Sequence, residues 1–120
     1  MNDKSQLLRG TLEGCILKII NDKETYGYEI AENLKLYGFK NISEGTIYPL
    51  LIRLEKNNFL NSTKKPSPYG PKRKYYTLSE KGVEELNYFY TNWLELKNNV
   101  DKIFLDYSKE GTVKWIILKN

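Results

Sequence analysis

The chain has 120 residues, 19 of them basic and 15 acidic, for a net charge of +4, with one cysteine and no histidine. This size allows one domain with at most a small appended dimerisation element, and a monomer so small buries only about 65% of its unfolded surface. With no histidine and only Cys15, no Ser-His-Asp triad, Cys-His pair or Cys/His zinc site can be assembled, so the chain is read as a non-enzyme needing no cofactor or metal.

Leu7, Leu8, Leu12, Cys15, Ile16 and Ile19 recur at three- and four-residue steps, the signature of a first helix with one apolar face, ending at the polar turn 21–24. Cys15 in that run reads as a small core residue, and one unpaired thiol fits a reducing cytoplasm. A second helix is predicted from Tyr26 to Leu36, with Tyr26, Ile30, Leu34 and Tyr37 on one face and Gly38 as a left-handed cap. Ser43 is the N-cap of a third helix whose buried stripe is Ile47, Leu50, Leu51 and Leu54. Pro49 falls inside it unless the helix starts late.

Residues 58–65 and 72–78 read as the strands of a hairpin, and the stretch between them, with three prolines and a glycine, reads as too stiff for regular structure. Ser79 then caps a long helix to about Tyr107. Leu86, Trp93, Val100 and Tyr107 share one heptad position, and Phe89, Leu96 and Ile103 follow three residues after the first three. This stripe either pairs with a second copy or folds back on the chain's own first helix. On the first alternative the dimerisation residues are Leu8, Leu12, Leu86, Phe89, Trp93, Leu96, Val100 and Ile103. The apolar tail 113–118 is either a strand or a helical turn. The polar first residues argue against a signal peptide, and no apolar run approaches the roughly 20 residues of a membrane span, so a cytoplasmic location is expected.

Three helices followed by a hairpin give the order of a winged helix-turn-helix: mainly α, with residues 1–78 as a DNA-binding domain and 79–120 as a dimerisation helix and tail. Residues 57–79 hold Lys64, Lys65, Lys72, Arg73 and Lys74 and no acid, while the remaining 14 basic residues face 15 acids, so the basic excess is local: on the charge alone it is equally a phosphate-binding surface or a solvated hairpin. A helix in the major groove reads base edges while basic loops hold phosphates. The residues placed to do so are Ser43, Glu44, Gly45, Thr46, Tyr48 and Arg53 of the third helix, Tyr26, and the five hairpin cations. Tyr48 either touches DNA or covers the base of the hairpin, and Arg53 either touches DNA or pairs with Glu55 or Glu44. Tyr76 and Leu78 read as packing between hairpin and core. A protein-interaction module and a non-specific DNA coat are the competing classes. A nuclease is disfavoured, since Glu80, Glu84 and Glu85 suit the start of a helix better than a metal cluster.

The segments 26–30 (Tyr-Gly-Tyr-Glu-Ile), 44–55 (Glu-Gly-Thr-Ile-Tyr-Pro-Leu-Leu-Ile-Arg-Leu-Glu) and 70–82 (Gly-Pro-Lys-Arg-Lys-Tyr-Tyr-Thr-Leu-Ser-Glu-Lys-Gly) resemble, in order and spacing, the three signature blocks of the PadR-type transcriptional regulators. The resemblance implies a bacterial or phage homodimeric repressor on a palindromic operator, released by a small molecule. The single C-terminal helix is similar to the small subfamily typified by the lactococcal multidrug-resistance regulator, in which a tryptophan of the dimerisation helix stacks on planar drugs. Trp93 stands at the matching place, which implies a ligand set of Trp93, Leu96, Lys97, Glu13 and Leu7. Trp93 is otherwise ordinary heptad packing. Lys97 replaces that regulator's acid, which argues against a cationic aromatic ligand and leaves a neutral or anionic one open.

Overall fold

A computed structural model of the chain describes residues 4–107, with side chains from Leu8 onward except that of Arg9. The elements are α1 (Lys4–Asp22), β1 (Thr25–Tyr26), α2 (Gly27–Leu36), α3 (Glu44–Lys56), β2 (Leu60–Ser67), β3 (Gly70–Leu78) and α4 (Glu80–Ile103). The side chain of Leu7 and the tail 113–118 lie outside the described residues. Two compact units divide after Tyr90.

In the first unit, the helix ends are set by local capping chemistry. Gly38 has φ +107°, its N–H bonds to the Lys35 carbonyl and that of Phe39 to Leu34, so α2 closes in a left-handed turn that satisfies two late carbonyls. Asn58 does the same for α3: it has φ +66°, its N–H bonds to Glu55 and that of Phe59 to Leu54. Asn58 is therefore a helix cap and not the first residue of a strand, which begins at Leu60. Ser43 caps α3 by accepting the Thr46 N–H at 3.3 Å, and Ser79 caps α4 by accepting the Gly82 N–H at 3.0 Å.

The core joins Leu12, Ile16, Leu17 and Ile20 of α1 to Ile30, Ala31 and Leu34 of α2, Ile47, Leu51 and Leu54 of α3, and Leu60 and Tyr76 of the sheet, with Ile42 between α2 and α3. Cys15 and Ile19 lie at its edge, and burial pushes the Cys15 thiol up, keeping it protonated. Tyr37 is exposed instead of continuing the buried face of α2. Its ring lies past the last helical turn, where the chain turns away at Gly38.

The sheet has the order β1-β3-β2, all antiparallel. Tyr26, expected in the second helix, belongs to β1, where Thr25 and Tyr26 face Tyr76 and Tyr75. Two residues are too few for an alternating pattern to announce a strand. The proline-rich stretch is also more regular than expected, because β2 runs through Pro66 and β3 through Pro71, leaving only Pro68 and Tyr69 as the turn. Lys65 pairs with Arg73 and Ser67 with Gly70, so Pro71 and Lys72 together oppose Pro66. A bulge is one of the few places in a ladder where proline's missing N–H costs no bond.

At the start of α4, Gly82 is buried and Leu86 packs on the core, while Phe89 lies on Gly14 of α1. In the second unit every described residue from Thr91 to Tyr107 is exposed. The helix stops at Ile103, short of the expected Tyr107. A turn closed by the Tyr107 N–H on the Phe104 carbonyl follows, with the two rings edge to face at 5.4 Å.

Candidate nucleic-acid interface

The surface that α3 presents follows from its buried stripe. With 100° between successive residues, the row opposite Ile47, Leu51 and Leu54 is Gly45, Pro49, Ile52 and Lys56, and all four are exposed. Thr46 and Arg53 flank this row on one side and Tyr48 on the other. Sequence reasoning singled out Gly45, Thr46, Tyr48 and Arg53 but not Pro49, Ile52 or Lys56. Plotting the helix outward from its core stripe identifies all three. Pro49 also has no N–H for the Gly45 carbonyl, so the outermost turn carries a backbone acceptor without its helical partner.

Most of the polar side chains expected on this helix have partners within the chain. The Ser43 and Thr46 hydroxyls are 3.1 Å apart and share the N-cap. The Glu44 carboxylate lies over the start of α2, where a Cβ at Gly27 would stand 3.3 Å from it. An anion is favoured there by the helix dipole. Tyr48 is near enough to Tyr76 that it, after burial and the Glu55 carboxylate, helps push the Tyr76 hydroxyl up to about 12. Arg53 bonds with Glu13 of α1, its Nε donating to Oε2 at 2.7 Å and its Nη2 to the same oxygen. Neither Glu55 nor Glu44 is its partner, and Glu13, expected in a ligand pocket, is committed to this pair.

The hairpin charges are less uniform than its sequence. Acids from elsewhere in the chain approach it: Lys65 pairs with Glu24 at 2.7 Å and Lys74 with Glu55 at 2.7 Å. The bonds from Lys74 and the Ser62 hydroxyl hold the Glu55 carboxyl below its ordinary range. The Arg73 guanidinium lies 4.5 Å above the Tyr26 ring, which also packs on Tyr75 at 5.2 Å, and Lys65 lies over Tyr75. Tyr26 thus belongs to a half-buried aromatic and cationic stack. Lys64 and Lys72 are exposed and have no acidic partner among the described residues. They are the hairpin cations most available to a phosphate.

The residues expected at a dimer seam divide. Leu12 is buried in the chain's own core, Leu86 packs against it and Leu8 is half-buried. Trp93, Leu96, Val100 and Ile103 are exposed on α4. Lys97 donates to Asp101 at 2.8 Å, which raises its affinity for its proton.

Comparison with known proteins returns a match of residues 16–88 to the model of the transcriptional regulator PadR-like family. A PadR-like transcriptional regulator from Bacillus cereus is 46% identical, with 87% of this chain and 100% of that one covered and a TM-score of 0.77. A Streptococcus transcriptional regulator is 48% identical, covering 82% of this chain and 96% of its own, with a TM-score of 0.74. Bacillus subtilis PadR, solved in complex with operator DNA, is 29% identical over 72% of this chain and 48% of its own, with a TM-score of 0.60.

Proposed function

The chain belongs to the PadR-like family of transcriptional regulators, which are not enzymes, and on that premise we propose that it is a cytoplasmic repressor binding an inverted-repeat operator in double-stranded DNA as a homodimer. The observation that carries this reading is the exposed outer row of α3 beside a hairpin with two lysines, Lys64 and Lys72, that have no acidic partner among the described residues. Residues 1–78 are the DNA-binding part and 79–120 the dimerisation part. Two copies of α3 enter successive major grooves about 34 Å apart, and the hairpins hold the flanking phosphates. The operator complex of the Bacillus subtilis relative supports this assignment.

The test is selection of bound sequences from a random duplex pool at about 150 mM salt, where non-specific binding is weakened. An enriched inverted repeat is expected, and a pool without enrichment overturns the reading in favour of a protein partner or a non-specific coat. On the selected operator, Lys64→Gln with Lys72→Gln lowers the slope of log affinity against log salt by about two, one for each lost phosphate contact. An unchanged slope places these lysines off the DNA.

The release of this repressor is assigned to a planar small molecule stacking on Trp93, a reading supported by the resemblance at Thr91, Asn92 and Trp93 and by the partial exposure of the indole. With Lys97 already paired to Asp101, α4 presents no strong excess of either charge beside it. Quenching of tryptophan fluorescence across a panel of planar dyes tests this assignment. Trp93→Ala is expected to lose binding at least tenfold, and binding equal to wild type removes the ligand from the model.

A further inference from the structure

We infer that α3 reads thymine C5-methyl groups through Ile52, with Pro49 as a second apolar contact. This inference rests on the DNA-binding reading and specifies its chemistry. Ile52 is 57% exposed and sits in the row farthest from the core. Its exposed part packs on nothing in the core, and with Pro49 one turn before it makes an apolar step on the outer face of the helix. Its neighbour in the row, Pro49, has a hydrocarbon ring and no donor, while Gly45 has no side chain to hold the backbone away. Several hydrogen-bonding candidates beside the row are engaged within the chain, Ser43 and Thr46 with each other and Arg53 with Glu13, while the exposed Tyr48 flanks the row and does not lie in it. In the major groove the apolar feature of a base edge is the thymine methyl. Lys56 in the row and Lys64 and Lys72 on the hairpin are exposed and without acidic partners among the described residues, which favours a polyanionic duplex over a protein as the occupant.

The experiment uses the full chain and the selected operator, with each thymine replaced in turn by deoxyuridine in both half-sites and affinity read by fluorescence anisotropy. One position per half-site is expected to matter. Loss of its methyl weakens binding roughly fourfold per half-site, from about 0.8 kcal/mol per buried methyl-sized group. In Ile52→Ala the same replacement changes affinity less than twofold. Because Ile52 is exposed, this variant folds, and the modified DNA needs no variant at all. Indifference of the wild type to every deoxyuridine overturns the inference, as does an equal loss in Ile52→Ala. In both cases the operator is still bound and the DNA-binding reading stands. Recovery of no operator sinks that reading and this inference with it.

Discussion

Gly82→Ala is expected to destabilise the fold by about 3 kcal/mol, although alanine is the better helix former by about 1 kcal/mol. The reason is the approach of α4 to the chain leaving α3. A Cβ on Gly82 would stand 2.1 Å from the carbonyl oxygen of Phe59, a backbone atom with little freedom to yield. That carbonyl already accepts the Ser79 N–H at 3.0 Å, and the Ser79 hydroxyl donates to the Asn58 carbonyl at 2.6 Å. Asn58 is itself held at positive φ. A methyl group at position 82 must therefore break the Ser79 bonds, move the first turn of α4, or distort the α3 cap. Urea unfolding followed by circular dichroism measures the loss. Gly10→Ala is the matched control, since Gly10 is exposed on α1 with no described residue within 4 Å of the added carbon. It should gain between about 0.5 and 1 kcal/mol. A midpoint for Gly82→Ala at or above wild type would mean that α4 does not pack this closely.

The contact at Gly82 also shows what a sequence discloses and what it conceals. Ser43, Ser79 and Gly38 could be assigned to helix ends in advance because capping is chemistry between residues three or four apart. Asn58 plays the same part as Gly38, but an asparagine before an alternating run equally well begins a strand, and only its backbone angle decides. The core stripes of α2 and α3 were legible from their period. The hairpin was legible as a pair of strands, yet its prolines pointed away from regular structure because a bulge depends on the pairing of both strands. The polar partners were hidden for a related reason. Arg53 finds Glu13 forty positions away and Lys65 finds Glu24 forty-one away, contacts made only once α1 and β1 are packed. An acid-free stretch of sequence therefore overstated the charge of the hairpin surface. The exposure of Ile52 follows from the same period, since it lies on the face of α3 away from the buried stripe.

Leu96→Glu combined with Val100→Glu is expected to convert the protein to a monomer and to weaken binding to the full inverted repeat by at least about 100-fold, the scale of the advantage from linking two binding events. Leu96, Val100 and Ile103 are 56%, 42% and 73% exposed and recur at three- and four-residue steps on α4. No described residue from Thr91 onward is buried, and a single helix of this length in water is marginal without a surface to cover its apolar face. On the proposed homodimer reading a second copy of α4 supplies that surface, and two glutamates facing their equivalents would oppose it by desolvation and like-charge repulsion. Because both positions are exposed, the first unit keeps its core and its α3. Sedimentation equilibrium gives the state of association, and anisotropy on a whole operator and on an isolated half-site divides the loss. The variant should bind the half-site as wild type does and lose only the gain from the second site. A variant that remains dimeric would place the seam elsewhere, on α1 or the first turns of α4. A monomer with full operator affinity would show that pairing of the long helices is not what positions the two reading surfaces.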